Sequence, residues 1–174
     1  IIDSVNSESL VDLQVCENFC SINPECAGLF IKDRLVKVYL LNFLQENQLN
    51  SFRLNNFFEV VLVWNKGVSY GLFPQQSYAG QLIIIFFSLI ICVWIAKFIT
   101  NSEIRYRSIT LILILAGASS NIIDRLIYGA VADFFHFEIA TYSWYVFNIA
   151  DIYIVSGLLI LIYAFIYPNI KKSP

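Results

Sequence analysis

The chain has 174 residues, of which 58% are hydrophobic, 16% aromatic and 14% charged, and its formal net charge is -2. Soluble domains average roughly 25% charged residues, so this composition excludes an ordinary soluble protein and is typical of a small, one-domain integral membrane protein. No basic patch or nucleic-acid motif occurs, which argues against a nucleic-acid partner and favours lipid, peptide or solute.

Residues 1–30 form a polar, cysteine-bearing segment, which we separate from a membrane domain at 31–174. Residues 1–26 lack the basic start and apolar centre of a signal peptide and cannot span a membrane. The spacing of Cys16, Cys20 and Cys26 matches no standard zinc pattern, so it predicts one disulfide and a free thiol in an oxidising compartment. We therefore expect no metal and no cofactor.

Residues 27–44 have the apolar content of a span, but charged side chains interrupt it. These side chains are Lys32, Asp33, Arg34 and Lys37. The pattern predicts either an amphipathic helix lying on the membrane surface or the outer end of an incomplete span.

Three later segments contain the roughly 20 apolar residues that a transmembrane helix needs. They are residues 81–99, 108–128 and 146–167, and Pro168 ends the last one. Cys92, inside the first, reads as a small hydrophobe. The fold class is therefore a mainly α membrane protein, a helical bundle with three clear spans.

Basic residues indicate the orientation of these spans, because cytoplasmic loops carry an excess of Lys and Arg. The relevant residues are Lys97, Arg105, Arg107, Lys171 and Lys172. Residues 52–80 and 129–145 then lie on the extracytoplasmic side. Segment 57–73 predicts a β-hairpin around Asn65-Lys66-Gly67. Segment 134–147 is rich in aromatics, which indicates an interfacial belt or a lining for a lipidic substrate.

Polar residues recur inside the last two predicted spans. Asn121, Asp124 and Arg125 share one helix face, and Asn148 and Asp151 repeat the i+3 spacing. A charge inside a span costs about 2.5 to 3.5 kcal/mol on insertion scales, so these side chains must face protein or water.

Asp133 and Asp151 have no cationic neighbour in sequence. If the second span runs outward and the third returns, both carboxyl groups reach a similar depth and can face each other. Such a pair shares one proton, so that one member activates water while the other polarises a carbonyl group. Asn121 and Asn148 would orient the carboxylates or the substrate backbone. Spacing alone leaves a structural or ion-pathway role open.

Several stretches resemble blocks of the lipoprotein signal peptidase family, also called signal peptidase II. The stretches are "VVLVWNKGVSYGLF", "NIIDRLIYGAVADFF" and "FNIADIYIVSG". The stretch "KDRLVKVYLLNFL" is similar to the family's D-Q-x-x-K block, with Arg34 in place of Gln. The blocks occur in family order between about residues 31 and 167.

The resemblance implies a four-span aspartyl endopeptidase of the bacterial cytoplasmic (inner) membrane, whose active site lies near the extracytoplasmic face. It would cleave the signal peptide from a diacylglyceryl-modified prolipoprotein without a metal. The catalytic pair would be Asp133 and Asp151, and Asp124 would be structural, paired within its own helix or with nearby backbone. The hairpin would correspond to the family's β-cradle. The supporting polar residues would be Asn65, Asn121, Arg125, Asn148, Asp33 and Lys37.

Two departures from the family pattern keep alternatives open. Ser120 replaces a usual glycine, and a small residue there still permits close helix packing. The family crosses the membrane once before its D-Q-x-x-K block, whereas residues 1–30 are polar here. One alternative is therefore an inactive homologue that lacks the first span. Another is a transport or proton-relay protein, which would need ionisable residues along a path, but only Ser88 is polar between Gln81 and Lys97.

Overall fold

The computed structural model describes residues 23–67, 77–100, 105–139 and 141–167. Its helices are α1 (Pro24–Glu46), α2 (Tyr78–Thr100), α3 (Arg105–Tyr128) and α4 (Ile149–Ile166). Its strands are β1 (Ser51–Asn55), β2 (Phe58–Asn65), β3 (Val131–Ile139) and β4 (Tyr142–Ser143). The predicted N-terminal segment 1–30 falls largely outside the described residues, and α1 runs without interruption across residue 30.

Three helices in the described part of the chain are long and apolar enough to cross a membrane. They are Tyr78–Ile99, Ser108–Tyr128 and Ile149–Ile166, which confirms the predicted spans. The last begins three residues later than expected because Asn148 caps it rather than joining it. The chain is an integral membrane protein built mainly from helices.

Helix α3 is the centre of the bundle. Of its membrane-length window 67% is buried, against 22% for α2 and 11% for α4. Helices α1, α2 and α4 each pack against α3. Apolar side chains of α2 and α4 point away from α3, as expected where lipid rather than water surrounds the bundle.

Helix α1 turns three of its charged side chains inward. Asp33, Arg34 and Lys37 are buried, whereas Leu35 and Tyr39 are exposed. A helix lying on the membrane surface would present its charges to water, so that interpretation is wrong. The charges face inward because α3 carries buried polar groups that need partners. At 23 residues, α1 is about 35 Å long, comparable to the spans.

The strands form one antiparallel sheet in the order β1-β2-β3-β4. The hairpin turn lies between β1 and β2, where the Asn55 side chain accepts a hydrogen bond from the Phe57 amide at 2.8 Å. The structure describes only the first arm and the turn of the hairpin predicted around Asn65-Lys66-Gly67, so that hairpin stays a prediction. This stretch does turn, because Asn65 accepts from the Gly67 amide at 2.9 Å, but β2 pairs with the distant β3. Residues 68–73 lie outside the described residues.

Two apolar clusters hold the helices and the sheet together. Cys92 lies in the cluster between the helices and is buried, as predicted for a small hydrophobe. Leu40 and Leu44 at the end of α1 pack against Ala132 and Phe134 of β3. The second cluster fixes β3 against α1, so that the residue between them, Asp133, lies where the bundle meets the sheet.

The predictions for the other cysteines and for the aromatic segment have different outcomes. Cys26 is disulfide-bonded, and Cys16 and Cys20 lie outside the described residues. The predicted aromatic segment 134–147 contains β3 and β4 and leaves large side chains exposed. These include Phe137, Tyr142, Trp144 and Tyr145. Contact of this surface with lipid or substrate stays a prediction.

Candidate active site

Asp133 is the third residue of β3, and its carboxyl group is almost fully buried. Its Oδ2 accepts a hydrogen bond from Asn65 Nδ2 at 3.0 Å, and its Oδ1 accepts from Asn148 Nδ2 at 2.6 Å. Antiparallel register sets Val63 opposite Asp133, which brings the end of β2 and therefore Asn65 alongside. The strand pairing thus positions one of the two amide donors.

Asp151 lies in the first turn of α4, within a capping box. The Asn148 side chain accepts from the Asp151 amide at 3.0 Å, and Asp151 Oδ2 accepts from the Asn148 amide at 3.3 Å. Asp151 Oδ1 also accepts from Asn121 Nδ2 of α3 at 2.9 Å. The helix start and α3 together fix this carboxyl group.

Asn148 connects the two carboxyl groups, because its side chain donates to Asp133 while its backbone amide donates to Asp151. Burial raises the pKa of Asp133 from the ordinary 3.8 to about 7, and the negative charge of Asp151 adds to the increase. The amides of Asn65 and Asn148 oppose this change without cancelling it. A pair of this kind holds a proton near neutral pH.

Arg125 holds the loop that follows β2. Its Nη2 donates to the Gly67 carbonyl at 2.7 Å, and its Nη1 donates to the Asn121 carbonyl at 3.2 Å. The guanidinium group therefore joins the Asn65–Gly67 turn to α3, which keeps Asn65 within reach of Asp133.

Asp124 binds α1 rather than its own helix. It forms ion pairs with Arg34 and with Lys37, the latter at 2.7 Å, and it accepts from the backbone amide of Ala132 at 3.2 Å. The expected contact of Asp124 with nearby backbone is present. Its ion-pair partners, however, lie on α1 and not within its own helix. Arg125, the adjacent cation, instead donates to the carbonyl groups of Gly67 and Asn121.

Asp33 and Lys37 join the same buried group. Asp33 accepts from the Ala150 amide at 2.8 Å and from the Ser120 hydroxyl, and it pairs with Lys37 at 3.2 Å. Lys37 also donates to Asn121 Oδ1 at 3.1 Å. The structure therefore brings every predicted site residue into one connected network.

Sequence reasoning missed three members of this network. Arg34 interrupts the apolar residues of 27–44 and departs from the family block, and its i+3 spacing to Lys37, which sets both cations on one face, is the signal for a shared partner. Ser120 was read as a small residue, whereas its hydroxyl binds Asp33. Gln81 Nε2 donates to the Lys66 carbonyl at 2.8 Å, and no sequence signal pointed to that contact.

Within the described residues, no group of three or more His, Cys, Asp or Glu side chains is placed to hold a metal ion. The arrangement offers two carboxyl groups, amide donors around them, and a raised pKa at one. This combination can activate a water molecule and protonate a leaving group.

Comparisons with known proteins identify the family and the relatives that the chain resembles. A family model described as Signal peptidase (SPase) II matches residues 26–167. A lipoprotein signal peptidase of Rhodopseudomonas palustris (strain TIE-1) is 44% identical over 135 residues, covering 75% of this chain and 82% of that protein. One from Nitrobacter hamburgensis is 41% identical over 149 residues, covering 83% and 91%.

A solved structure supports the fold independently. It is described as a bacterial membrane enzyme structure by the in meso method at 2.3 Å resolution, and it superposes with a TM-score of 0.70. The match covers 86% of this chain and 89% of that chain at 22% identity. The likeness shows the fold.

Proposed function

Because the chain belongs to the signal peptidase II family, we propose that Asp133 and Asp151 are the carboxyl pair with which this aspartic endopeptidase removes signal peptides from prolipoproteins. One observation carries the assignment. The buried carboxylates Asp33 and Asp124 are ion-paired, whereas Asp133 and Asp151 form no ion pair within the described part of the chain and bind amide donors instead. Asp133 and Asp151 are thus free to exchange a proton.

The proposed reaction uses the shared proton of this pair. Asp151 removes a proton from water as the water oxygen bonds to the carbonyl carbon of the scissile peptide. Asp133, protonated because its pKa is about 7, donates to the carbonyl oxygen. The carbon–nitrogen bond then breaks as Asp151 passes its proton to the departing nitrogen, while a hydroxyl group of the intermediate returns a proton to Asp133 and the new carbonyl group forms.

The asparagine amides keep both carboxyl groups in place during these steps. Asn65 and Asn148 hold Asp133, and Asn121 holds Asp151. Preorganised donors of this kind need no rearrangement at the moment of reaction. Arg125 supports Asn65 through the Gly67 carbonyl.

We place the substrate as a prolipoprotein whose cysteine carries diacylglycerol, and the enzyme in the bacterial inner membrane with its site at the extracytoplasmic face. Exposed apolar side chains of β3 and β4, on the sheet that carries Asp133, suit a lipidated peptide. Lys97, Arg105 and Arg107 flank the connection between α2 and α3, at the opposite end of α3 from the site, which supports this orientation. The inward-facing α1 supports an active enzyme over an inactive homologue.

A gel-shift assay with a diacylglyceryl-modified prolipoprotein in detergent micelles tests the assignment. We expect Asp133→Asn and Asp151→Asn each to reduce cleavage to background, because either change removes a proton carrier. Glu138→Gln, on the same strand β3 but exposed in an ion pair with Arg53, is the matched control and should cleave normally. A chelator should have no effect.

Full turnover by Asp133→Asn would contradict the catalytic assignment. Asp124→Asn should instead lower stability, because it leaves buried cations without their anion. Cleavage that a chelator removes would show that the reaction depends on a metal.

A further inference from the structure

The backbone before Asp133 is held by a second carboxylate. The amide of Ala132 donates to Asp124 Oδ2 at 3.2 Å, and both groups are fully buried. Strand β4 pairs only with Glu138 and Ile139, so this edge of β3 is not covered by a strand at Ala132. Asp124 supplies the acceptor that a buried amide requires there, and it fixes the peptide that leads directly into Asp133.

The backbone before Asp151 is held in the same way from a different helix. The amide of Ala150 is one of the first amides of α4, which have no partner within the helix. It donates to Asp33 Oδ1 of α1 at 2.8 Å. A carboxylate from another element therefore anchors the peptide that leads into the second reactive aspartate.

Lys37 joins these two carboxylates. An ammonium group has three donors, and the Lys37 Nζ has three acceptors around it. They are Asp33 Oδ2 at 3.2 Å, Asp124 Oδ2 at 2.7 Å and Asn121 Oδ1 at 3.1 Å. Lys37 is buried, so water does not compete for these contacts.

The contact with Asn121 also decides which way its amide group points. Its Oδ1 accepts from Lys37 and from Asn148 Nδ2, the latter at 3.2 Å. Its Nδ2 is therefore directed toward Asp151 Oδ1. In a reversed amide, Asn121 Nδ2 would face the donors of Lys37 and Asn148, and Asn121 Oδ1 would face the Asp151 carboxyl oxygen.

We propose that Lys37 is a positioning residue for both reactive carboxyl groups. It fixes the two carboxylates that hold the peptides before Asp133 and Asp151, and it sets the amide orientation of Asn121. The proposal rests on the proposed function of that pair. It assigns Lys37 a role in the geometry of the reaction rather than in charge balance alone.

A variant that tests the positioning role of Lys37 must keep the buried positive and negative charges equal in number. Asp33 and Asp124 are matched by Arg34 and Lys37, so replacing Lys37 alone leaves a buried negative charge and can prevent folding. The double variant Lys37→Met with Asp33→Asn restores the balance. The amide oxygen of an asparagine at position 33 can still accept from Ala150.

The test measures kcat and KM for cleavage of the lipidated prolipoprotein by this double variant. Because the reactive groups lose their shared anchor, we expect kcat to fall roughly 10- to 100-fold with KM unchanged. Lys32→Met, on the exposed side of the same helix, is the matched control and should leave both constants unchanged. Parental kcat in the folded double variant would overturn the proposal.

A measurement on the unaltered chain does not depend on any variant folding. With 15N-alanine labelling in micelles, the amides of Ala132 and Ala150 should exchange with solvent slowly, as buried bonded amides do. Fast exchange at either amide would overturn the proposal. Failure of the proposed function gives a different pattern, in which the unaltered chain does not cleave or Asp133→Asn cleaves normally.

Discussion

At the scale of single residues, the site separates its carboxylates by the kind of partner each receives. Asp33 and Asp124 face cations and form ion pairs that join α1 to α3. Asp133 faces the amides of Asn65 and Asn148, which orient it but carry no charge. An amide partner leaves a carboxyl group able to gain and lose a proton near neutral pH, which an adjacent cation would prevent.

The raised pKa of Asp133 predicts a pH dependence of activity. Above about pH 7 this carboxyl group loses its proton, so the pair is left without a group that can donate to the substrate. We expect kcat/KM to fall as pH rises through about 7, measured with the lipidated substrate between pH 5 and 9. A flat profile over this range would contradict the assigned proton.

The same pKa predicts a pH dependence of stability. A folded-state pKa of about 7, above the ordinary 3.8, means that the native state binds the proton more tightly than the unfolded chain. The resulting contribution is complete below pH 3.8 and is lost as pH rises through about 7. Asp133→Asn should remove this part of the fall in Tm between pH 5 and pH 8, measured by thermal unfolding in micelles.

At the scale of elements, the closeness of α3 and α4 sets the position of Asp151. A Cβ atom at Gly117 would lie 2.4 Å from the Ala150 carbonyl oxygen, and one at Gly157 would lie 2.8 Å from the Thr110 carbonyl oxygen. Small residues allow such close approach of helix backbones in membranes. The two glycines hold the helices together at different distances from the site.

Gly117→Ala and Gly157→Ala should each lower stability by about 1 to 3 kcal/mol, because the added methyl group meets backbone that cannot move freely. Gly117→Ala should also reduce kcat, since the Ala150 carbonyl that it displaces adjoins Asp151. Thermal unfolding and cleavage assays measure both effects. Gly28→Ala is the control, because a Cβ atom there meets nothing within 4 Å. Equal kcat for both bundle variants would count against this coupling.

At the scale of the whole molecule, charge and polarity are collected along α3 while apolar surface faces outward. This inverts the soluble pattern, as expected of a protein that lipid surrounds. The sheet lies at the end of α3 that carries Asn121, Asp124 and Arg125. Arg105 and Arg107 belong to the other end of α3, so the molecule has two chemically different ends.

This asymmetry predicts how the chain lies in a membrane. In right-side-out vesicles, a membrane-impermeant maleimide should label Asn56→Cys in the exposed β1–β2 turn. Ser102→Cys, between α2 and α3, should react only after permeabilisation, because the positive residues hold that loop inside. The unaltered chain gives the background labelling. The reverse labelling pattern would place the site on the cytoplasmic side.

The sequence by itself determined the membrane class, the three spans and the family, because these depend on local apolar runs and on motifs whose residues are adjacent. It also supplied Asp133 and Asp151 as a candidate pair, since both stand in such motifs.

The tertiary structure alone decided which residues meet across the chain. Pairing of β2 with β3 brings Asn65 beside Asp133, because backbone ladders form between segments far apart in sequence. The partners of Asp124 lie 87 and 90 positions away, at Lys37 and Arg34. A buried charge takes its partner from whichever helix packs against it, and no local pattern records that choice.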